Sequence, residues 1–563
     1  MSLFGAIKMG GNTLRAMQIG LQVVGNNIAN ANTPGFIRQD AVYVPAPLQR
    51  LGNLILGSGV LVDSIVQKID KFVIERLVGA RGDRANAEIQ EQVYQEIEGI
   101  LNELSETADL SSALTNFFNA IHNVTEGEGT RDLVVKVGDT LTDAIGQLHG
   151  RVFNIREQLN DRVLAATGEI NTLAEEIRLL NVQIATAEGG DTSGSDAGSL
   201  RVKRQTAVDR LSEIAGIQVQ EQPSGTLSVA VGGEFLVFEG IRREVSISTN
   251  SDGGIDAGLI QFTDTQSPLQ TTSGELQGLY TARDEVAGNF LDDLDTFART
   301  LAFEFNKLYS QGQGLVGFDS LTSVDSVTDA DAALDAAGLA FTPVGGAFDV
   351  LIHNKDDNLT STYTILVDLN GFDNDTSLND LAQQLDAIDG LTASVSATGA
   401  LQLDAESEDI QFAFAKDTSG VLAALGVNTF FTGSSAGSLN VNAQVKANPS
   451  KFAASLEGIG EDAGNMERLA AFLDQELESA NNATILDLYN EILNDITQGS
   501  AVAQSVAEGF RVFEGTLEGQ KQAMSGVNID EEAIKMITLQ RIYQASAKYI
   551  QTISELLDIL VQI

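Results

Sequence analysis

The chain has 563 residues, which suggests roughly three or four structural units. Its 78 acidic and 34 basic residues give a net charge of −44, a balance that disfavours binding to nucleic-acid phosphates or anionic membranes. The absence of cysteine excludes disulfides, Cys-ligated metal sites and thiol nucleophiles, and no apolar run reaches the ~18 residues of a membrane-spanning helix. The N-terminus also lacks the pattern of an ordinary signal peptide.

The N-terminal segment predicts an amphipathic helix. Apolar residues recur there in steps of three and four, which is the spacing of a heptad-like packing seam. The pattern ends at NANTPG, residues 30–35, because Asn, Pro and Gly stop a helix and begin a turn. The seam comprises Leu3, Ile7, Gly10, Leu14, Met17, Leu21, Val24 and Ile28.

Long helices are expected in the segment 48–222, which contains no proline. We predict helices over 84–120, 131–148, 150–188 and 200–215. The third of these carries a second apolar seam. Its members are Val152, Ile155, Leu159, Val163, Ala166, Ile170, Leu173, Ile177, Leu180, Ile184 and Ala187.

Two β-containing regions interrupt the helices. The apolar period changes to two between Gly-rich turns, which predicts a small β region over 216–274, and a helix follows over 278–309. Residues 313–449 are rich in Asp, Ala, Thr, Ser and Gly. They are predicted to form an outer α/β insert with strands such as Tyr363–Val367 and a helix over 377–388.

From residue 450 the chain is predicted to be helical to its end, and the last segment repeats the three-four spacing. A narrow apolar stripe on a terminal helix cannot bury itself, and each large side chain left in water forgoes about 1.5–3 kcal/mol. The two ends therefore either pack on each other within a monomer or pack on other copies, and the spacing leaves both open. The seam comprises Leu539, Ile542, Ser546, Tyr549, Ile553, Leu556, Leu560 and Ile563, widened by Met536, Tyr543, Ala547, Ile550 and Leu557.

These elements predict a mainly α fold with β-containing insert domains. Coiled-coil-like terminal helices would accompany a long helical bundle, a small β region and an outer α/β insert. The expected division is 1–83 and 525–563 as terminal segments, 84–215, 275–312 and 450–524 as the helical bundle, 216–274 as the β region and 313–449 as the insert.

No pattern of catalytic residues is found. There is no Gly-x-Ser-x-Gly turn, and His122, His149 and His353 are far apart in the sequence. The run Gly312–Gly317 has the spacing of a dinucleotide-binding loop, but it follows a predicted helix instead of a strand, so a connector is favoured. We therefore predict no enzymatic activity, no cofactor and no metal site.

A cluster of acidic and amide side chains surrounds Gly371. Asp368, Asn370, Asp373 and Asp375 offer oxygens that suit calcium. Their spacing departs from the twelve-residue calcium loop, so a polar turn is favoured and weak calcium binding stays open.

Two pairs of glutamates lie on predicted helices. The pair 175–176 is expected on a solvated face. The pair 531–532 follows Asn528 and Asp530, either of which would cap a helix whose N-terminus favours acidic side chains.

Both ends of the chain carry motifs of a known family. GNNIANANTPGF at 25–36 resembles the N-terminal motif of the flagellar axial proteins, which include rod, hook and hook-associated proteins. The following IRQ at 37–39 is most similar to the first hook-associated protein family. SGVNIDEEA at 525–533 and QRIYQASAK at 540–548 resemble the C-terminal motif. Phe36 stands where tyrosine is more usual.

Two internal stretches extend the resemblance. GELQGLYTARD at 274–284 and DTSGVLAALGVNTFF at 417–431 are similar to the hook-associated family and occur in its order. Much of 315–400 has no residue-by-residue match, so the role of the insert stays open.

The resemblance implies a structural protein of the bacterial flagellum that forms the junction between hook and filament. Its implied partners are other copies in a ring, the hook protein, the second junction protein (hook-associated protein 3) and a flagellar export chaperone bound through the C-terminal region. It implies an extracellular, flagellar location, reached through the flagellar type III apparatus without a cleaved signal peptide. It also favours packing between copies over packing within one monomer. The fold it implies has terminal axial and assembly segments at 1–83 and 525–563, a long helical-bundle rod domain, and outer β and α/β domains.

The resemblance assigns assembly to the terminal helices and to the turn that leaves the first one. The implied assembly side chains are Leu3, Ile7, Leu14, Met17, Leu21, Val24, Ile28, Leu539, Ile542, Tyr543, Tyr549, Ile553, Leu556 and Leu560. The turn would be shaped by Asn27, Asn30, Asn32, Pro34 and Gly35.

Two other functions stay open. Another axial component, such as a hook or distal rod protein, would share the terminal motifs. A secreted surface module that binds calcium or a glycan through the insert is the alternative from a different class.

Overall fold

The computed structural model describes residues 3–33, 35–51, 54–108, 110–124, 128–189, 195–372, 375–460 and 462–561. The chain divides into two compact units. Unit 1 comprises Met1–Gln92, Glu157–Arg283 and Ala501–Ile563, and unit 2 comprises Val93–Arg156 and Asp284–Ser500. The predicted class is confirmed, because helices predominate and small β-sheets accompany them.

The helices include three that exceed 35 residues and contribute to both units. In chain order they are α1 (Leu3–Ala29), α2 (Lys71–Ala108), α3 (Leu110–His122), α4 (Glu128–Ala187), α5 (Gly198–Ile214), α6 (Glu275–Tyr280), α7 (Ala287–Tyr309), α8 (Leu378–Asp386), α9 (Val421–Leu425), α10 (Ala443–Ala447), α11 (Gly464–Ala471), α12 (Ile485–Ser525) and α13 (Ile529–Val561). No helix in the described part of the chain is long and apolar enough to cross a membrane.

The strands pair antiparallel wherever the structure describes them. They are β1 (Gln39–Pro45), β2 (Gln49–Leu51), β3 (Leu54–Leu56), β4 (Val60–Gln67), β5 (Ile217–Glu221), β6 (Leu227–Val231), β7 (Glu234–Phe238), β8 (Ile241–Arg242), β9 (Val245–Asp252), β10 (Ile255–Phe262), β11 (Ser320–Thr322), β12 (Gly346–Asn354), β13 (Leu359–Val367), β14 (Leu391–Val395), β15 (Leu401–Ala405), β16 (Ile410–Ala415), β17 (Phe431–Thr432) and β18 (Asn440–Val441).

Unit 1 contains α1, α13, the β1–β4 hairpin, the four-stranded sheet β5-β6-β7-β8 and the β9–β10 hairpin. Buried polar side chains fix the loops. Arg283 is 1% exposed and donates to Asn160 Oδ1 at 2.9 Å and to the Gly258 carbonyl at 2.8 Å. Arg204 donates to Asn181 Oδ1 at 2.9 Å, and burial lowers its pKa to about 10.

Unit 2 contains two hydrophobic centres. The insert sheets β11-β15-β14 and β13-β12-β16 enclose one, together with α8, whose Ser377 and Asp380 form a capping box. The other is a cluster of aromatic rings with centroids 4.9–6.1 Å apart, in the range of favourable ring contacts. Its rings belong to Phe117, Phe118, Phe305, Tyr309, Phe430, Phe431, Phe452 and Phe472.

The stretch 417–431 supplies part of this aromatic cluster through buried turns. The Asp417 carboxylate accepts from the backbone N–H groups of Ser419, Gly420 and Leu422 at 2.8–3.0 Å. Asn428 donates to two backbone carbonyls of the connector after α7. The stretch 417–431, which resembles the hook-associated family, therefore consists of residues that build the core.

Most of the predicted elements are confirmed, with shifted ends. The first helix ends at Ala29 as predicted, the small β region is present as β5–β10, and 200–215 matches α5. The seam over 150–188 is buried at Val152, Ile155, Leu159, Val163, Ile170, Ile177, Leu180 and Ile184, whereas Ala187 is exposed.

Three predictions about helix continuity were wrong. Helices 131–148 and 150–188 are one helix, α4, because Gly150 weakens a helix without ending it. The helix over 278–309 is interrupted by a π-helical turn at Thr281–Val286. The segment from 450 is not continuously helical: short turns and α11 precede α12, and Asn481 and Asn482 adopt positive φ.

The β1–β4 hairpin was missed, although Val42, Val44, Val60 and Val62 follow the alternation of strands. The division into terminal, rod, β and insert domains stays a prediction.

Candidate assembly surface at the paired termini

Helices α1 and α13 pack along each other within one chain. Two glycines of α1 permit the close approach. A Cβ at Gly10 would lie 2.6 Å from Ile550 Cγ1, and a Cβ at Gly20 would overlap the Tyr43 hydroxyl and lie 3.2 Å from Leu539 Cδ1. Small residues on one face of α1 thus admit the large side chains of α13 and of the β1–β4 hairpin.

The hairpin forms a second support for α1. Asn12 Nδ2 donates to the Ser58 carbonyl at 3.0 Å, and Gly59 lies against the backbone of Met9. Tyr43 belongs to β1, and its hydroxyl lies against Gly20 of α1. Burial and the nearby Asp40 carboxylate raise the pKa of its phenol. The hairpin therefore holds one side of α1 while α13 covers another.

A buried amide links the end of α1 to both neighbours. Asn27 has no exposed surface. Its Oδ1 accepts from the Gln39 N–H at 3.0 Å, and its Nδ2 donates to the Gln39 carbonyl at 2.8 Å and to Glu532 Oε2 at 2.9 Å. Because all three bonds are buried or partly buried, loss of the amide would leave several polar groups without partners.

An arginine completes this contact, which we call the Arg38 clamp and define as Asn27, Arg38, Asp40, Glu532 and Lys535. Arg38 Nε lies 3.1 Å from Glu532 Oε1, whose side chain is fully buried. This contact is an ion pair without hydrogen-bond alignment. Lys535 Nζ donates to Asp40 Oδ1 at 2.9 Å and lies 3.5 Å from Glu532 Oε1. The buried glutamate thus has two cations and one amide around it.

A side-chain cap and further contacts of Arg38 fix the start of α13. Asn528 Oδ1 accepts from the N–H groups of Asp530 at 3.0 Å and Glu531 at 3.3 Å. The predicted cap is therefore Asn528, the first of the two candidates. Arg38 Nη1 donates to Glu531 Oε2 at 3.2 Å, and its backbone N–H donates to the Ser525 carbonyl at 3.0 Å.

A polar groove opens where the turn after α1 meets the α12–α13 corner. It lies beside the Arg38 clamp and combines residues of both terminal motifs. Its charged lining consists of Arg38, Glu518, Lys521 and Glu531. The groove joins the segments 31–38 and 518–531, which are distant in sequence, into one surface.

The outward face of α13 is apolar and uncovered in a single chain. Ile534 is 66% exposed and Ile559 is 57% exposed, far more than large aliphatic side chains in a core. The exposed large apolar side chains of α13 are Ile529, Ile534, Ile537, Ile542, Tyr543, Leu556 and Ile559. An apolar face of this extent is typical of a protein–protein contact.

The structure divides the predicted assembly residues between two faces. Met17, Val24 and Asn27 are buried, whereas Leu3, Ile7, Leu14, Leu21, Ile28, Asn30, Leu539, Tyr549 and Ile553 are half-buried. Asn32, Gly35, Ile542, Tyr543 and Leu556 are exposed. Pro34 lies outside the described residues, and so does the side chain of Leu560. Their roles in assembly stay predictions.

Sequence reasoning missed Arg38 and Glu532 as partners. It also predicted only part of the buried face of α1: the predicted seam contained Gly10, Met17 and Val24 but not Ala6 and Gly20. The preference for large side chains hid these two positions, because they are alanine and glycine. The lone basic residue of the first motif and the acidic pair 531–532 were the available signal for an ion pair.

The other motifs have structural roles. Glu175 is not merely solvated: hydrogen bonds from Arg178 lower its pKa to about 2, and Arg242 also pairs with it. Gly312 packs against Asn465 in a connector. The structure reveals no group of three or more His, Asp or Glu side chains placed to hold a metal among the residues it describes.

The comparisons first define a class. A family profile described as "Flagella basal body rod protein" matches residues 7–36, which contain most of α1 and the turn after it. A second profile, described as "Flagellar basal body rod FlgEFG protein C-terminal", matches residues 520–563, which contain α13. The paired helices are thus the terminal segments typical of flagellar axial proteins.

The central part of the chain is similar to one particular kind of flagellar axial protein. A profile described as "Flagellar hook-associated protein FlgK helical domain" matches residues 94–320. Flagellar hook-associated protein 1 of Salmonella typhimurium is 23% identical over 572 residues, with 98% of both chains covered. The protein of the same name from Bacillus subtilis is 22% identical over 595 residues, covering 99% of this chain and 97% of its own. The chain is thus similar to flagellar hook-associated protein 1 over almost its whole length.

One solved structure is also similar. The flagellar hook junction protein FlgK of Burkholderia pseudomallei aligns with a TM-score of 0.49 at 14% identity. The alignment covers 80% of this chain and 100% of that chain.

Proposed function

We propose that this chain is the structural protein that joins the hook to the filament of a bacterial flagellum. The similarity to hook-associated protein 1 over almost the whole chain supports this function. The observation that carries it is the pairing of α1 and α13, because the pair combines a buried inner face with an apolar outer face. Such a pair offers an assembly surface while the rest of the chain keeps its own cores.

The outer face of α13 would pack on neighbouring copies in a ring. Ile534, Ile537 and Ile559 are the side chains with most to gain, since each is more than half exposed in the single chain. The polar groove beside the Arg38 clamp would receive a segment of a neighbouring axial subunit. The terminal segments 1–83 and 525–563 would then lie in the axial part of the assembly, with the insert 313–449 outside it.

The remaining partners follow from the same function. Hook protein would contact the ring on one side and hook-associated protein 3 on the other, and an export chaperone would bind the C-terminal region before assembly. The chain would leave the cell through the flagellar type III apparatus. Its role is mechanical, and no enzymatic step is part of the proposal.

The test uses a motile host that lacks its own junction protein and carries a matched hook protein. The full chain is expected to restore filaments at the hook tips in electron micrographs. A chain without residues 530–563 is expected to leave bare hooks and to release flagellin into the medium. If the exported full chain leaves hooks bare, the proposal fails and a hook or distal rod role becomes the better one.

A double variant of α13 distinguishes a defect in assembly from a defect in folding. Ile534→Glu combined with Ile537→Glu changes exposed side chains, so the free chain should melt as the wild type does while filaments are lost. Phe372→Glu, at an exposed position in the insert, is the matched control and should keep the filaments. Normal filaments with the α13 variant would argue against this face as the assembly surface.

A further inference from the structure

The sequence contains a single Asn-Gly dipeptide, at Asn370 and Gly371. Both residues are exposed in the turn between β13 and α8. Gly371 adopts φ +77°, a conformation that side-chain-bearing residues rarely take. The turn therefore brings an exposed amide side chain next to the backbone nitrogen of a residue that has no side chain of its own.

Four hydrogen bonds surround these two residues. The Gly371 N–H donates to both carboxylate oxygens of Asp375, at 3.2 Å each. The Asn370 N–H donates to Asp375 Oδ1 at 3.0 Å. The Asn370 side-chain oxygen accepts from the Phe372 N–H at 2.9 Å. A carboxylate thus contacts the Gly371 proton while a backbone donor polarises the Asn370 amide.

We propose that Asn370 is a site of intramolecular deamidation in which Asp375 acts as general base. The Asp375 carboxylate takes the Gly371 N–H proton as that nitrogen attacks Asn370 Cγ. Negative charge develops on Asn370 Oδ1, where the Phe372 N–H stabilises it. The Cγ–N bond of the side-chain amide then breaks, and the proton held by Asp375 leaves with the nitrogen as ammonia.

The product of this step is a cyclic imide of residues 370 and 371. Water opens it at either carbonyl and gives aspartate or isoaspartate, so the net change is loss of ammonia and gain of water. Aspartate keeps the oxygen that accepts from Phe372. Isoaspartate lengthens the backbone by one methylene and displaces Gly371 from Asp375. Either product adds a negative charge to the exposed turn of the insert.

The experiment incubates the full chain at mildly alkaline pH and follows residue 370 by peptide mapping and mass spectrometry. The same chain unfolded in guanidinium chloride gives the rate without the turn. We expect the folded rate to exceed the unfolded rate roughly tenfold, below the general-base factors of 10² or more. Asn250, which precedes Ser251, serves as an internal reference in each sample. A folded rate equal to or below the unfolded rate would overturn the proposal, whatever any variant does.

A pair of variants assigns the base. Asp375→Asn should reduce the folded rate to the unfolded value, whereas Asp368→Asn removes a neighbouring acid and should leave the rate unchanged. Circular dichroism checks that both variants keep the fold. If Asp375→Asn deamidates as fast as the wild type, or faster, Asp375 is not the base and the proposal is wrong.

Discussion

The aromatic cluster of unit 2 and the paired helices of unit 1 bury apolar surface in opposite ways. Phe305 is completely buried among rings, including Phe117, Phe431 and Phe472. The α1–α13 pair buries a charged clamp and leaves large apolar side chains of α13 exposed. The comparison indicates that the first region satisfies its apolar surface within a single chain, whereas the second does not.

The largest expected effect is the loss of a ring from the aromatic cluster, which the comparison identifies as the main source of stability. Phe305→Ala should cost about 3–5 kcal/mol, because removal of a buried ring leaves a cavity that the surroundings fill only partly. Chemical denaturation monitored by circular dichroism measures the change. Phe72→Ala, at a position that is 64% exposed, is the control and should change stability by less than about 0.5 kcal/mol. Equal losses of stability in the two variants would contradict this role of the aromatic cluster.

The Arg38 clamp is the next largest expected effect. Arg38→Met leaves Glu532 buried without its main cation and should weaken the local stability of α13 by about 3 kcal/mol. The second change Glu532→Leu should recover most of this loss, since a buried pair replaced by apolar groups is often nearly neutral. Hydrogen exchange of the amides in α13 measures both variants.

The stabilities of the single and double variants distinguish a buried, coupled ion pair from a surface contact. No change on Arg38→Met, or an additive loss in the double variant, would show that the two charges do not depend on each other. Arg76 is a suitable control, because its guanidinium lies over the exposed Phe72 and Phe513 rings.

The close approach of the two helices gives a smaller effect with a matched control. Gly10→Val should destabilise the α1–α13 pair by about 1–3 kcal/mol more than Gly11→Val, because the added side chain meets Ile550. An added Cβ at Gly11 meets nothing within 4 Å, and both variants change helix propensity equally. Thermal melting of the two variants compares them, and equal midpoints would exclude tight packing at Gly10.

The smallest expected effect is a pH dependence in unit 2. Burial alone would raise the pKa of Asp462, but hydrogen bonds from the backbone N–H groups of Gly464, Leu456 and Glu457 outweigh it and hold that pKa below 3.8. Since the folded pKa is the lower one, the stabilisation is present above about pH 4 and is lost as pH falls through the folded pKa. Asp462→Asn should therefore be less stable than the wild type at neutral pH, by less than about 1 kcal/mol, and equal to it in strong acid.

The contrast also explains what the sequence could predict. The α4 seam, the β5–β7 alternation and the stop at Asn30 follow from periodicity and turn residues, so they were predictable. The full contact face of α1 was not, because it includes Gly20, a contact residue that a search for large apolar side chains overlooks. The Arg38–Glu532 pair joins positions almost 500 residues apart, and no local pattern encodes such a contact. In the insert, the sequence indicated Asp375 as a candidate calcium ligand. In the structure its carboxylate accepts hydrogen bonds that close a turn.

The central claim is that the two termini of one chain pair with each other and leave the outer face of α13 free. The chain has no cysteine, so Gly10→Cys combined with Ile550→Cys introduces a single crosslinkable pair. Mild oxidation of the dilute monomer should give a circularised monomer that migrates anomalously under denaturing, non-reducing conditions, and each single variant should not. Crosslinked dimers without circular monomer, or no crosslink at all, would contradict the pairing.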